Sequence, residues 1–385
     1  MTNKNIPQLR FKEFEDEWEI NLQLGETIKK QFKGKAKLDQ LNAGTVMYLD
    51  ANALNGDIPF MSNAEHDTEA NDVLIMWDGS NAGKVFTGFE GALGSTLKGY
   101  KIKDENNSSF IFYHLLKHQQ KIYEQYRTPN IPHVIKNFTE AFKISSPALP
   151  EQSAIGSLFQ TLDELLSAYK DNLANYQAFK ATMLSKMFPK AGQATPEVRL
   201  DGSDEMWEEK KLSEIAIFNP KAQLPKVFKY VDLESVVGTN LISYRIEKIE
   251  VAPSRAQRLA QKGDIFFQTV RPYQKNNYLF STNETDWVFS TGYAQLRPKI
   301  DNRFLFNSMQ RDEFVNTVLL NCTGTSYPAI NSKDLSKLKV YVPNIDEQRA
   351  IGAFFANLDD LIASQQAKIT ELETLKKKLL QDMFF

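Results

Sequence analysis

The stretch Glu151-Gln152-Ser153-Ala154-Ile155-Gly156 returns as Glu347-Gln348-Arg349-Ala350-Ile351-Gly352, 196 residues further along the 385-residue chain. The match runs on without a gap through Phe159/Phe355, Leu162/Leu358, Asp163/Asp359, Lys180/Lys376, Leu184/Leu380, Met187/Met383 and Phe188/Phe384. Upstream it reaches Pro132/Pro328, Lys143/Lys339 and Pro147/Pro343 at the same offset. The offset then shrinks: 194 for Phe110/Phe304, 192 for Asp72/Asp264, 189 for Pro7/Pro196, Arg10/Arg199 and Trp18/Trp207. An ordered series with a slowly drifting offset is an internal repeat. The second copy carries its extra residues in several loops.

Each copy opens on an acidic strip around a tryptophan, continues through a body of about 130 residues, and closes on a long helix. Apolar runs punctuated by Gly, Asn and Asp predict strands at Val46–Leu49, Val73–Trp77, Ile265–Phe267 and Trp287–Phe289. Helices are expected near Ser109–Tyr126 and Arg303–Leu320. From Glu151 to Phe188 no proline interrupts an apolar stripe at Ile155, Leu158, Leu162, Leu165, Tyr169, Leu173, Tyr176, Met183 and Met187. The second copy repeats it at Ile351, Phe354, Leu358, Leu361, Ile369, Leu372, Leu375, Leu379 and Met383. Alternating steps of three and four predict a coiled-coil seam, and two matched stripes predict mutual packing. Phe159, Leu166, Leu184, Phe355, Ile362 and Leu380 widen the stripes enough to pack a further neighbour. Gly156 and Gly352 sit early in the helices, which suggests either close backbone approach or fraying there.

The fold class expected is α+β: two repeated α/β domains joined by two long antiparallel coiled-coil helices, with pseudo-two-fold symmetry. The boundaries expected are 1–149 and 191–345 for the domains, 150–190 and 346–385 for the helices. The linker Pro189–Pro196 carries proline and glycine stop signals. No apolar stretch approaches membrane-spanning length. The N-terminus lacks the apolar core of a secretory signal, and a single cysteine, Cys322, excludes an intramolecular disulfide framework, so a cytoplasmic setting is expected.

A formal net charge of −2 argues at first against nucleic acid. Charge is, however, sorted by segment. The two acidic strips and two long helices together carry −11, leaving +9 on the remainder. Lys29, Lys30, Lys33, Lys35 and Lys37 form an acid-free run; Arg255, Arg258, Lys262, Arg271 and Lys275 lie among Gln257, Gln268, Tyr273, Asn276 and Asn277. Basic residues attract phosphates, and Arg, Gln and Asn present the donors and acceptors that read base edges. By residue type and loop position, the candidate DNA contacts are Lys33, Lys35, Trp77, Ser80, Asn81, Lys84, Ser95 and Thr96 in the first body. In the second they are Arg255, Gln257, Arg258, Gln268, Arg271, Tyr273, Lys275, Ser290, Thr291 and Tyr327.

Catalytic motifs are not found. His114 and His118 are spaced i, i+4 but lack the glutamate of a zinc-protease helix. Gly79-Ser-Asn-Ala-Gly83-Lys84 is one residue short of a phosphate loop, and Gly88, Gly91 and Gly94 do not form a dinucleotide fingerprint. Asn219-Pro220 is followed by Lys221, unlike the tetrapeptide of amino-methyltransferases.

Two differing bodies, each followed by a near-identical helix opening Pro147-to-Gly156 and Pro343-to-Gly352, resemble the specificity subunit of type I restriction–modification systems. Trp77-to-Val85 with Gly94-to-Leu97, and Gln268-to-Tyr273, are similar to recurring target-recognition segments of that family. The resemblance implies that each domain reads one half of a bipartite, asymmetric DNA site and that the helices set the spacer. It further implies that two modification (methyltransferase) subunits dock on the chain and two restriction subunits join them. S-adenosylmethionine, ATP and magnesium would then belong to the partners, and no cofactor, metal or catalytic residue to this chain. We expect Phe159, Leu166, Leu184, Phe355, Ile362 and Leu380 to face the modification subunits. The alternative is a non-catalytic coiled-coil scaffold carrying two ligand-binding domains. A stand-alone methyltransferase would need a cofactor fold for which the chain has no room.

Overall fold

The computed structural model describes residues 6–130, 132–190, 192–200, 205–324 and 326–385. Lys4, counted in the charge sum, and Ala191 of the linker lie outside them. The chain divides into two compact units, Met1–Lys170 with Ala367–Phe385, and Asp171–Gln366. Each unit thus contains one body, the start of the helix that follows it, and the end of the other long helix.

In the first unit the chain runs β1 (Glu19–Gln23), β2 (Ile28–Lys33), β3 (Ala43–Leu49), β4 (Met61–Ser62), β5 (Val73–Met76), β6 (Val85–Phe86), β7 (Ala92–Leu93) and β8 (Leu97–Ile102). Then follow α1 (Ser108–Lys117), α2 (Gln119–Gln125), α3 (Phe138–Ala141), β9 (Lys143–Ser146) and α4 (Leu149–Lys186). An antiparallel sheet has the order β2-β8-β5-β6, a smaller sheet the order β4-β3-β7, and β1 pairs with β9. The run Val73 to Met76 is buried on both faces, which explains why it is continuous rather than alternating.

The second unit repeats the scheme with β10 (Glu208–Lys211), α5 (Leu212–Ile215), β11 (Ala216–Phe218), β12 (Val227–Val231), β13 (Val236–Val237), β14 (Asn240–Leu241), β15 (Arg245–Lys248) and β16 (Ala256–Leu259). It continues through β17 (Ile265–Gln268), β18 (Tyr278–Leu279), β19 (Trp287–Ser290), β20 (Tyr293–Pro298), α6 (Asn302–Gln310), α7 (Asp312–Leu320), α8 (Ser332–Leu335), β21 (Lys339–Val342) and α9 (Ile345–Asp382). The central sheet is β11-β20-β17-β18, and the second sheet, β15-β12-β19-β16, has one strand more than its counterpart. The single helix expected at Arg303–Leu320 breaks at Arg311. Its backbone is extended there, and its guanidinium lies over the Phe188 ring while donating to the Pro189 carbonyl. The helix expected at Ser109–Tyr126 breaks likewise at His118.

Both long helices have 38 residues, about 57 Å of α-helix. Within the first unit they run antiparallel, with Lys376 on Asp163 and Lys170 on Glu373; within the second, Lys180 meets Asp359 and Phe179 meets Phe354. The inward stripe follows one unbroken heptad frame, Ile155, Phe159, Leu162, Leu166, Tyr169, Leu173, Tyr176, Lys180, Met183, Met187, and its repeat from Ile351 to Met383. This differs from the seam expected from sequence. Leu165, Leu361 and Leu375 stay 42–43% exposed, while Phe159, Leu166, Phe355 and Ile362 turn inward. Adjacent apolar pairs such as Leu165-Leu166 permit two frames, and the bodies select the one in which Phe159 and Phe355 also fill their cores.

Candidate nucleic-acid interface

The hexapeptide is the root of each unit. Glu151 is buried and takes a bidentate pair from Arg10, whose Nη2 also donates to the Asp16 carbonyl; Glu347 and Arg199 repeat the pair. The hydrogen bond to Glu151, ahead of a smaller opposing effect of burial, holds Arg10 above its ordinary pKa. Gln152 accepts from the Asn107 backbone N–H at 2.8 Å and donates to the Pro147 carbonyl at 2.9 Å. Gln348 does the same for Asp301 and Pro343 at 3.1 and 2.8 Å. Asn107 and Asp301 in turn cap α1 and α6. A Cβ on Gly156 would lie 2.5 Å from Asn107 Oδ1, and one on Gly352 2.6 Å from Asp301 Oδ1, so of the two readings of these glycines close approach is the correct one.

An aromatic nest completes each root. Trp18 and Phe110 meet edge to face at 5.7 Å, and Phe384 tilts against Phe110 at 5.3 Å and Phe159 at 5.8 Å. In the second unit Trp207, Phe304, Phe188 and Phe355 repeat this at 5.6, 5.4 and 6.1 Å. In both, the closing phenylalanine belongs to the end of the other copy's helix. His114 stacks on His118 beside this nest and accepts from the Ser145 N–H. Burial drives His114 well below its ordinary pKa, helped by His118, Lys121 and Lys117.

The candidate DNA contacts lie away from the root. In the first unit, Lys33, Trp77, Ser95 and Thr96 converge at one end of the central sheet. Trp77 N–H and Asp78 N–H both donate to the Thr96 carbonyl, and Ser95 N–H donates to Ala36. Lys35 and Thr96 are exposed. Trp77 is buried, and Lys98 Nζ lies 3.3 Å from its ring centroid. Gly79–Lys84 is a tight turn with left-handed Gly79 and Gly83, its carbonyls at Ser80 and Ala82 held by Arg127. Ser80 and Asn81 are exposed on it. Lys84 turns back onto Asn55 and Phe86.

In the second unit, Arg271, Tyr273, Lys275 and Tyr327 surround the loop after β17. The Arg271 guanidinium lies 4.4 Å from the Tyr327 ring centroid, Tyr273 is half exposed, and Lys275 pairs with Asp312 at 2.6 Å. Arg271 and Lys275 both adopt φ near +54°, a conformation that costs a non-glycine residue about 1 kcal/mol or more. Arg255 and Thr291 lie on neighbouring loop ends, with Thr291 N–H donating to the Arg255 carbonyl, and Gln257 follows on β16. Arg258 is half-buried with Nε unpartnered, and burial lowers its pKa. Gln268 and Ser290 are buried and serve the loops: Gln268 donates to Val270 and Gln274, and Ser290 accepts from the Gly292 N–H. An open cleft of about 340 Å³ lies beside Arg271, lined also by Val236, Val270, Gln268 and Asn276.

The two ends share one backbone construction. Gly79 N–H donates to the Pro132 carbonyl, and Arg271 N–H to that of Pro328; both residues are left-handed. Trp77 N–H donates to Thr96, and Thr269 N–H to Gly292. Arg271 therefore occupies the seat that Gly79 occupies in the first unit.

Residues 15–175 and 204–374 match the family model described as type I restriction modification DNA specificity domain. The chain belongs to this family. It is the DNA specificity subunit of a type I restriction–modification system, and as such is non-catalytic. It is 26% identical to the type I restriction enzyme MjaVIII specificity subunit of Methanocaldococcus jannaschii, over 98% of this chain and 94% of that one. It is 24% identical to the EcoDI specificity subunit of Escherichia coli, over 87% and 84%. The crystal structure of the type I S subunit from M. genitalium superposes with a TM-score of 0.69 at 18% identity, covering 99% of both chains.

The specificity subunit thus has its two α/β domains and its two packed helices as expected. Among its described residues no helix is long and apolar enough to cross a membrane, and no cluster of His, Cys, Asp and Glu could hold a metal ion. Of the residues expected to face partner subunits, Phe159 and Phe355 are wholly buried in their own cores, Leu166 is buried, and Leu184, Ile362 and Leu380 are half-buried. Sequence reasoning missed Lys98, Asp78, Arg127 and His133, which build the first unit's candidate end. Lys98 carried one signal, as the charged position of the otherwise apolar run Leu97-Lys98-Gly99-Tyr100.

Proposed function

We propose that each unit of this specificity subunit reads one half of a bipartite, asymmetric site on double-stranded DNA. The recognition domains are 1–149 and 191–345, and the helices 150–190 and 346–385 fix the unread spacer. The observation that carries this reading is the shared seat of Gly79 and Arg271. One backbone construction presents different side chains, as two heads require if they are to approach two half-sites alike and read them differently. The residues named above as candidate contacts are the proposed reading surface. Gln268 and Ser290 support its loops, and Arg271 stacked on Tyr327 is its principal base contact in the second domain.

The complex we propose adds two modification subunits and two restriction subunits, acting on cytoplasmic DNA, with S-adenosylmethionine, ATP and magnesium held by those partners. The modification subunits dock along the long helices within each unit, over Leu380 with Phe159 and Leu166 beneath it in the first, and over Leu184 with Phe355 and Ile362 beneath it in the second. Exposed Leu165 and Leu361 supply apolar surface of the kind such docking needs.

The test is to sequence the methylated bases of a host carrying the system with Arg271→Ala. An arginine contact to guanine contributes about 1–3 kcal/mol of discrimination, so one half-site is expected to relax or vanish while the other persists. An unchanged motif would refute the assignment. Deleting one turn from each helix, about 5.4 Å, is expected to shorten the spacer by one or two base pairs at about 3.4 Å each.

A further inference from the structure

We propose that Lys98 reads a guanine in the half-site of the first domain; the inference rests on the two-headed reading above. Lys98 on β8 stands directly opposite Lys33 on β2. Directly opposed like charges on neighbouring strands are destabilising. The nearby carboxylate, Asp78, pairs with Lys33 at 3.4 Å, and among the described residues Lys98 has no ion pair. The Lys98 ammonium sits instead on the face of Trp77, 3.3 Å from the ring centroid, where cation–π attraction holds it. Burial and Lys33 lower its pKa, and Asp78 acts in the opposite sense.

This is an unusual way to keep a lysine. A phosphate contact needs only a mobile, solvated ammonium, as exposed Lys35 supplies next to it. Lys98 is half-buried, fixed in direction by an aromatic wall, and under-neutralised, so it presents one oriented donor group beside the exposed Thr96. An oriented ammonium matches the paired O6 and N7 acceptors of guanine in the major groove. The second domain has no equivalent, because Trp77 is replaced there by Thr269. Its oriented cation is Arg271 on Tyr327, built two positions further along the same loop. Each head thus presents a cation seated on an aromatic ring, built from different residues.

The experiment compares the methylated motif of the intact complex carrying Lys98→Met, Lys98→Arg or Arg271→Ala. Lys98→Met keeps the stem on Trp77 and removes the donor. It is expected to cut discrimination at one guanine of one half-site by about 5- to 150-fold, and at the half-site that Arg271→Ala leaves intact. Lys98→Arg keeps the cation on the ring and is expected to retain guanine, so the proposal stays testable even if the methionine variant folds poorly. An unaltered motif with Lys98→Met overturns the proposal. So does uniform weakening at all sites with a reduced salt dependence, which marks a phosphate contact, or a first half-site without guanine. If Arg271→Ala changes its half-site while Lys98→Met changes nothing, the lysine assignment alone falls. If neither variant nor exchange of whole bodies alters the motif, the two-headed reading falls.

Discussion

The roots of the two units and their tips follow opposite rules. At the roots, Arg10–Glu151, Gln152–Asn107 and the Trp18 nest recur as Arg199–Glu347, Gln348–Asp301 and the Trp207 nest, with ring separations that agree to within a few tenths of an ångström. At the tips the backbone hydrogen bonds recur, but Trp77 becomes Thr269, Gly79 becomes Arg271 and His133 becomes Ala329. Geometry is repeated where a helix must be aimed, and side chains are changed where a surface must discriminate. Separating the two is what lets one scaffold carry two specificities.

The widest test of equivalent roots removes the phenylalanine that closes each nest. Phe384→Ala and Phe188→Ala are each expected to cost about 3–5 kcal/mol, as for other fully buried phenylalanines, and to cost nearly the same. Thermal or urea unfolding of the whole chain measures both. A difference above about 2 kcal/mol would mean that the nests are alike in shape only.

Next in size is the buried clamp. Glu151→Ala and Glu347→Ala each take the buried carboxylate from a half-buried arginine that keeps a backbone carbonyl partner, an effect of about 1–3 kcal/mol, and denaturant titration should again rank them together. Placing a methyl group at Gly156 or Gly352 is a smaller perturbation. Each displaces a cap side chain, so alanine there is expected to cost about 1–2 kcal/mol despite its better helix propensity.

The smallest effect breaks the comparison rather than sharpening it. His114 has Ser308 at the matching position. The unfolded chain binds the His114 proton near pH 6.5, whereas burial depresses its pKa in the fold. Above 6.5 both states are neutral and stability is flat. As pH falls from 6.5 toward the folded pKa, the unfolded state gains protons first and the first unit loses stability, by at most about 1.4 kcal/mol per pH unit. His114→Gln is expected to flatten that part of a melting-temperature profile between pH 7.5 and 5.5. A variant with the same slope as the parent would assign the loss to other groups.

Much of this protein is legible in its sequence because a repeat is a comparison made within one chain. The offset of 196 residues, the two 38-residue helices and the paired Trp, Arg, Glu, Gln and Gly positions need only one-dimensional order, since helical periodicity and capping are local. The tertiary structure decided what local rules leave degenerate. Leu165-Leu166 and Leu361-Ile362 fit two heptad frames, and only packing against the bodies turns Leu166 and Ile362 inward. Nothing local announces that Phe384 closes the first nest and Phe188 the second, because Phe384 meets Phe110 and Phe159 from more than 200 residues away, and Phe188 meets Phe304 and Phe355 from more than 100. Lys98 on Trp77, and Arg271 in the seat of Gly79, depend on strand register and on a crossing loop. Both are fixed by non-local hydrogen bonds that the order of residues does not display.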